Sequence, residues 1–108
     1  MKLSVALCTY NGARFLREQL DSIAAQTRLP DELVVCDDGS RDETLAVVCD
    51  FAQRAPFRVR IFDAPQNLGV IKNFERCIAL CEGDAIAPCD QDDIWLPQKL
   101  ERCLEILQ

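Results

Sequence analysis

Leu33-Val34-Val35-Cys36-Asp37-Asp38-Gly39-Ser40 sets the architecture of the whole chain. Its first four residues form a short apolar run, which is typical of a buried strand. The run ends in two carboxylates and a turn sequence, and a helix pattern begins soon afterwards. A buried strand that leads directly into a helix is one unit of a parallel sheet, because parallel strands are joined by such crossovers.

The same unit recurs on both sides of residues 33–40. Strands are predicted at residues 3–8, 33–36, 57–62 and 84–89. Helices are predicted from inward-facing residues at helical spacing, which are Leu16, Leu20, Ile23 and Thr27; Leu45, Val48 and Ala52; Val70, Phe74, Cys77, Ile78 and Cys81; and Leu100, Cys103, Leu104 and Leu107. The order βαβαβαβα predicts an α/β, Rossmann-like fold with a mainly parallel sheet of about four strands and helices on both faces.

Local signals predict where these elements begin and end. Asn11 is expected to cap the first helix, and Ser40 with Glu43 has the spacing of a capping box for the second. Gly83 is expected to end the third helix as a C-cap. The third strand alternates apolar residues with arginines, so it is expected near an edge of the sheet.

The composition predicts a single soluble domain. With 108 residues the chain is long enough for one hydrophobic core and too short for two. The net charge of −6 argues against nonspecific binding to nucleic acid or to anionic membranes, because both need basic surfaces. No apolar run has the length of a transmembrane segment, and the first residues lack the pattern of a signal peptide.

Seven cysteines are scattered over mainly apolar positions. The chain has no histidine and no CxxC pair, so a zinc site is not expected. Without a secretory signal, these cysteines predict reduced thiols and a cytoplasmic protein.

Polar residues follow three of the four predicted strands. Thr9-Tyr10-Asn11 follows the first strand, Asp37-Asp38-Gly39-Ser40 the second and Asp90-Gln91-Asp92-Asp93 the fourth. Ligands of open α/β sheets bind beyond the carboxyl ends of the strands, where the strand order reverses. The three groups are therefore predicted to converge on one rim of the sheet.

The acidic residues 90–93 have three competing interpretations. As helix caps they would account for one carboxylate but not for three. An EF-hand loop from Asp90 would place Trp95 at the required glycine and Pro97 inside the loop. The third interpretation is a Mg²⁺ or Mn²⁺ site that carries a diphosphate, since these ions favour carboxylate, water and phosphate oxygens. Such an ion would also relieve the repulsion between neighbouring carboxylates.

The other candidate residues also have a purely structural interpretation. Asp37 or Asp38 could cap the following helix or accept a hydrogen bond from a nucleobase. Tyr10 could be an ordinary aromatic residue or a stacking face for a base. Lys72 could be a solvated cation or, if it faces the rim, a partner for phosphate. A phosphoacceptor signalling domain also has clustered aspartates, but it needs its acidic pair after the first strand, where this chain has Tyr10.

In combination, these motifs resemble family 2 glycosyltransferases of the GT-A fold. The resemblance spans the chain, and it is carried by residues 4–12, 19–23, 26–27, 37–44, 67–69 and 90–100. Residues 90–97, Asp-Gln-Asp-Asp-Ile-Trp-Leu-Pro, are most similar to bacterial members that build surface polysaccharides, including rhamnosyltransferases.

The resemblance implies a role for each candidate residue. The nucleotide-binding residues would be Thr9, Tyr10, Asn11, Asp37, Asp38, Lys72 and Asp90, and the metal ligands Asp92 and Asp90. Tyr10 would lie against the base, Asp38 would hydrogen-bond the base, and Asp37 would support the Asp38 loop. Asp92 would be the preferred metal contact of a DxD motif, with Asp90 directed to the sugar or ribose.

The resemblance also implies a reaction. A Mn²⁺ or Mg²⁺ ion would act as a Lewis acid on the nucleoside-diphosphate leaving group, while a hydroxyl of a saccharide or lipid-linked acceptor attacks the anomeric carbon with inversion. The general base would be a carboxylate beyond Gln108, so residues 1–108 are expected to be the donor-binding domain of a longer enzyme. That enzyme would be cytoplasmic, or peripheral at the inner face of the membrane. By itself, the chain could instead bind a nucleotide sugar without turnover.

Overall fold

The computed structural model describes residues 1–64, 66–91 and 93–107. Strands and helices alternate along these residues in the order β1 (Leu3–Thr9), α1 (Ala13–Ala24), β2 (Glu32–Asp37), α2 (Thr44–Arg54), β3 (Arg58–Asp63), α3 (Val70–Leu80), β4 (Ala85–Cys89) and α4 (Lys99–Leu107). The predicted element order and the α/β fold class are therefore confirmed.

The four strands form one sheet in which β1 is central. The strand order is β3-β2-β1-β4, and each neighbouring pair is parallel. The chain order reverses at β1, which places the expected ligand crevice at the carboxyl end of this strand. Thr9 pairs with Asp37 on β2, and Leu7 pairs with Cys89 on β4, so the polar residues after these strands begin side by side. β3 lies at the edge of the sheet, as predicted.

Helices cover both faces of the sheet, because alternate strand residues point to opposite faces. On one face, strand residues such as Leu7 and Val35 pack with the main hydrophobic core, to which the helices contribute Leu16, Leu20, Ile23, Val48, Phe51, Leu100 and Leu104. On the other face, the smaller residues Ala6, Val34 and Cys36 pack against Cys77 of α3. Each large side chain that becomes buried contributes about 2 kcal/mol, so the first face supplies most of the hydrophobic stabilisation.

The prediction that Asn11 caps α1 is wrong. Gly12 is the N-cap residue of this helix and has no side chain to cap it, while the amide of Ala13 donates to the Asp42 carboxylate at 3.3 Å. The Asn11 Oδ1 instead accepts a hydrogen bond from the Arg41 amide at 2.8 Å. Asn11 has a φ of 48°, so its backbone is in the left-handed region that asparagine tolerates better than most residues.

The predicted capping box of α2 is also wrong. The helix begins at Thr44, with Glu43 as N-cap residue. The Asp42 carboxylate accepts the Thr44 amide at 3.0 Å, and hydrogen bonds from the Thr44 side chain and amide hold the pKa of Asp42 below its usual value. The Ser40 hydroxyl donates to Asp37 at 2.6 Å, and Ser40 is therefore part of the preceding loop.

The inward faces of α1 and α2 follow the predicted spacing with two differences. Thr27 lies beyond the end of α1 and is exposed, whereas Gln26 is buried. On α2, Val48 is buried as predicted, but the largest buried side chain is Phe51, which the sequence pattern did not single out.

The inward faces of α3 and α4 are narrower than predicted. On α3, Cys77 is buried, but Val70 is 77% exposed and Ile78 is 43% exposed, and Asn73 is buried instead. The Asn73 amide donates to the main-chain oxygen of Cys36 at 2.8 Å, which directs this side of the helix to the sheet.

On α4, Leu100 and Leu104 are buried, while Cys103 and Leu107 are exposed. The α3 helix ends with Cys81 as its C-cap residue rather than at Gly83. Within the described residues, no helix combines the length and the apolar character needed to cross a bilayer.

Thiol reactivity is expected to separate the exposed cysteines from the buried ones, with the partly buried Cys8 and Cys81 between them. Cys49 and Cys103 are exposed, whereas Cys36, Cys77 and Cys89 are buried. Burial raises the pKa of Cys89 to about 12, despite an opposing hydrogen bond from Gln19. Since the thiolate is the reactive form, a chromogenic disulfide reagent at pH 8 should label the two exposed cysteines quickly and the three buried ones only after unfolding. Fast labelling of Cys89 in the native protein would contradict this arrangement.

Candidate functional site

A cavity of about 240 Å³ opens at the carboxyl end of β1, between α3 and the residues that follow β4. Its lining includes Thr9, Tyr10, Asp38, Asp90 and Gln91, together with Cys8, Val70, Asn73 and Phe74. Four of the residues predicted from the sequence therefore meet in one place, where the strand order reverses. A second cavity, of about 390 Å³, lies beside α4 and is lined by Trp95, Lys99 and their neighbours, but by none of the predicted site residues.

Asp37 holds the ends of β1 and β2 together below the cavity. Its carboxylate is fully buried and accepts hydrogen bonds from the Thr9 hydroxyl at 2.7 Å, the Ser40 amide at 2.8 Å and the Ser40 hydroxyl at 2.6 Å. Thr9 is 1% exposed, so its hydroxyl serves this network. These contacts assign Asp37 and Thr9 to the support of the site, and their direct contact with a nucleotide stays a prediction.

Asp38 connects the cavity to the loop before α3. One carboxylate oxygen accepts the Leu68 amide at 2.6 Å, and the other accepts the Gly69 amide at 3.0 Å. Gly69 has a φ of 90°, a conformation that favours glycine and directs its amide to Asp38. Each carboxylate oxygen has a second lone pair, so the hydrogen bond from Asp38 to a base stays a prediction.

Tyr10 presents a half-exposed side chain to the cavity and is tied at its backbone by Gln91. The Gln91 Oε1 accepts the Tyr10 amide at 2.6 Å. The Gln91 side chain lies against Gly12, where a Cβ atom would come within 2.5 Å of the Gln91 Cδ. Gly12 therefore leaves space for the Gln91 side chain in this position. Gln91 had no predicted role, although its position between acidic residues was a signal.

Asn11 and Lys72 are not brought into the cavity. The Asn11 amide donates to the Ser40 hydroxyl at 2.8 Å, which fixes the loop beside the cavity. Lys72 is exposed on the first turn of α3, whereas α3 lines the cavity through Val70, Asn73 and Phe74. Nucleotide binding by these two residues stays a prediction.

Asp90 is the described acidic residue that is best placed for a cation. It lines the cavity, and its carboxylate accepts no hydrogen bond from the described residues. Asp93 differs, because its carboxylate accepts the indole N–H of Trp95 at 3.2 Å. Asp92, the predicted preferred metal ligand, lies outside the described residues.

The described residues contain no group of three or more His, Cys, Asp or Glu side chains that could hold a metal ion. The Asp90 carboxylate is one hard oxygen donor. A single donor of this kind fits Mg²⁺ or Mn²⁺ when the further ligands come from phosphate and water. The donor chemistry therefore fits an ion that arrives with a diphosphate.

Comparison with known proteins identifies the family. A family model described as Glycosyl transferase family 2 matches residues 4–108. The chain belongs to this family. An uncharacterized glycosyltransferase of Nostoc sp. is 38% identical to the chain over 109 residues, which cover all of this chain and 33% of that protein.

Two solved structures show the same fold. Staphylococcus aureus TarS in complex with UDP-GlcNAc superposes with a TM-score of 0.88 at 30% identity, over 99% of this family 2 chain and 31% of that one. The mannosyltransferase PcManGT from Pyrobaculum calidifontis, in complex with GDP-Man and Mn²⁺, has a TM-score of 0.80 at 26% identity, over 87% and 28% of the respective chains. The chain spans about a third of the length of the Nostoc protein, of the TarS chain (residues 1–349) and of PcManGT.

Proposed function

We propose that this chain binds the nucleoside diphosphate of a sugar donor in the cavity at the end of β1. It would serve as the donor-binding part of a metal-dependent, inverting glycosyltransferase that acts on a saccharide or lipid-linked hydroxyl, in bacterial surface polysaccharide synthesis. The observation that carries the proposal is the meeting of Tyr10, Asp38 and Asp90 in a single cavity at the strand-order reversal. The complexes of TarS with UDP-GlcNAc and of PcManGT with GDP-Man and Mn²⁺ support it.

Different residues of the proposed site would contact different parts of the donor. The Tyr10 ring offers a flat, half-exposed surface to a base, and Asp38 supplies an acceptor for a base N–H. Asp90 and Asp92 would hold a Mn²⁺ or Mg²⁺ ion. When bound, this ion would neutralise negative charge on the diphosphate leaving group. In the reaction, the acceptor oxygen bonds to the anomeric carbon, the bond from that carbon to the diphosphate breaks, and the hydroxyl proton passes to a general base.

A second candidate function is binding of the nucleotide sugar without turnover. It is favoured by the described residues of the cavity, since Tyr10, Asp38 and Asp90 suit the binding of a donor. Incubation of the chain with UDP-GlcNAc or GDP-Man and saccharide acceptors separates the two functions. Transfer of sugar would exclude the binding-only function.

Calorimetric titration of UDP, dTDP and GDP, with and without Mn²⁺, tests the donor site. At least one of these diphosphates is expected to bind about tenfold more tightly with Mn²⁺, a difference of about 1.4 kcal/mol. Asp90→Ala and Asp92→Ala should each remove most of this gain, because they remove the carboxylates that hold the ion.

Asp50→Ala is the matched control for these variants, since Asp50 lies exposed on α2 and pairs there with Arg17 and Arg54. This variant should keep the full Mn²⁺-dependent gain. Binding that ignores Mn²⁺ in the unaltered chain, or that survives Asp92→Ala unchanged, would refute the metal role of residues 90–92.

A further inference from the structure

Helix α1 and the turn after it carry a row of polar side chains that faces the segment between β4 and α4. The row consists of Gln19, Ser22 and Gln26, whose spacing of three and four residues places them on one side of the helix. Gln19 is fully buried and Gln26 is 5% exposed. Buried amides need hydrogen-bond partners, and the partners of this row indicate its purpose.

Gln19 bonds directly to the start of the acidic segment. Its Nε2 donates to the main-chain oxygen of Asp90 and contacts the Cys89 sulfur at 3.2 Å. The site residue Asp90 is therefore held through its backbone, while its carboxylate is left for a ligand.

Ser22 and Gln26 hold the rest of the segment. The Ser22 hydroxyl oxygen accepts the Trp95 amide at 3.2 Å. The Gln26 amide group donates to the Leu96 oxygen at 2.8 Å and accepts the Leu100 amide at 3.0 Å. Together with Gln19, these side chains bond to the backbone from the end of β4 to the first turn of α4.

The segment depends on these bonds because its described part lies between regular elements. β4 ends at Cys89 and α4 begins at Lys99, so the backbone groups between them have no sheet ladder to join. On its other side, the segment is tied to β1 by the bond between Gln91 and the Tyr10 amide. The position of Asp90 relative to the cavity is thus set by α1 and by Tyr10, the residue that follows β1.

We propose that Gln19, assisted by Ser22 and Gln26, is a positioning residue for the diphosphate and metal end of the donor site. Gln19 fixes the Asp90 backbone before a ligand binds. The free energy of binding is then not reduced by the cost of ordering Asp90. The inference rests on the proposed function and extends it to side chains that touch neither the donor nor the ion.

The test compares Gln19→Leu with Gln53→Leu. Leucine at position 19 removes the amide donor at similar size and suits a buried site, and Gln53 lies exposed on α2 as the matched control. Each variant is titrated with the diphosphate that the unaltered chain binds most tightly among UDP, dTDP and GDP, and with the corresponding nucleoside, with and without Mn²⁺. The Mn²⁺-dependent gain should fall from about tenfold to about twofold in Gln19→Leu, while its nucleoside affinity and both values of Gln53→Leu should stay unchanged.

Hydrogen exchange supplies a readout that needs no ligand. The amides of residues 93–96 should exchange faster in Gln19→Leu than in the unaltered chain, while those of β2 should not change. If Gln19→Leu does not fold, Ser22→Ala provides the test, because the only bond to the described part of the segment that it removes is the one from the Trp95 amide; the other bond of the Ser22 hydroxyl, to the Gln19 main-chain oxygen, lies within α1. It should reduce the Mn²⁺-dependent gain about threefold, and Ser22→Thr, which keeps the hydroxyl, should restore it.

The outcomes are distinct. An unchanged Mn²⁺-dependent gain in Gln19→Leu, or an equal loss of nucleoside and diphosphate affinity, would overturn the positioning role. A lack of any Mn²⁺-dependent gain in the unaltered chain would count against the proposed function itself.

Discussion

Asp37→Ala is expected to lower the free energy of unfolding by about 4 kcal/mol. The Asp37 carboxylate is fully buried and accepts three hydrogen bonds from Thr9 and Ser40. Hydrogen bonds to a charged group contribute about 1.5–3 kcal/mol each, and removal of the acceptor leaves buried donors unpaired. Urea unfolding followed by circular dichroism measures the change.

Asp63→Ala is the matched control for Asp37→Ala. Asp63 pairs with Asp37 at the end of β3, but it is exposed, and its carboxylate accepts no hydrogen bond within residues 1–64, 66–91 and 93–107. Its replacement should change the free energy of unfolding by less than about 0.5 kcal/mol. Equal effects of the two substitutions would mean that the hydrogen-bond network of Asp37 does not stabilise the fold.

Glu32→Ala is expected to cost about 3 kcal/mol of stability, at the opposite end of the sheet from the cavity. Glu32 is 5% exposed, and its carboxylate accepts the Ser4 hydroxyl at 2.6 Å, the Glu82 amide at 2.7 Å and the Arg60 guanidinium at 3.1 Å. Alanine would leave Arg60 without its most buried partner. Because the cavity is remote, nucleotide affinity of the folded variant should be unchanged.

The contribution of Glu32 should also depend on pH. Burial raises the pKa of this carboxyl, but the hydrogen bonds from Glu82, Ser4 and Arg60 outweigh it and hold the pKa below the ordinary value of 4.5. A group with a lowered pKa in the folded state stabilises the protein above the unfolded pKa, and this stabilisation is lost as the pH falls through the folded pKa. The unaltered chain should therefore lose stability below pH 4.5, and Glu32→Ala should lose less over the same range.

Urea unfolding of both chains from pH 7 to pH 3 measures this difference. Glu75→Ala serves as the control, since Glu75 lies exposed on α3 and should leave the pH profile parallel to that of the unaltered chain. Parallel profiles for Glu32→Ala and the unaltered chain would show that the Glu32 carboxyl does not titrate differently in the folded state.

Much of the fold could be predicted because the local and the global signals agree. The apolar runs around Val5 and Val34 are central strands, and the apolar residues of α1 at positions 16, 20 and 23 are buried as expected. The helix starts predicted at Asn11 and Ser40 were wrong because these two side chains bond between the loops that follow β1 and β2: the Asn11 Oδ1 accepts the Arg41 amide, and the Ser40 hydroxyl accepts the Asn11 amide. These partners lie about thirty residues apart in the sequence, whereas capping patterns consider only residues within one helical turn.

Some residues of the candidate site could be predicted from the sequence, and others could not. Thr9, Tyr10, Asp38 and Asp90 could be predicted to meet, since they follow strands of one parallel sheet. Gln91 and Gln19 could not be assigned a role, because a glutamine in a sequence carries no sign of which backbone group it will bond. Lys72 differs in the opposite direction. Its positive charge suggested a place in the cavity beside phosphate, but the orientation of α3 places it on the exposed side of the helix.

The sequence by itself determined the α/β class, the family and the rim of the sheet where polar residues collect. These depend on apolar periodicity and on strand order, which are local patterns repeated along the chain. Only the tertiary structure decided which polar side chains face the cavity and which hold its walls. That choice depends on buried hydrogen bonds between distant residues, such as Gln19 with Asp90 and Thr9 with Asp37, and these form only when the packed helices and strands bring the partners together.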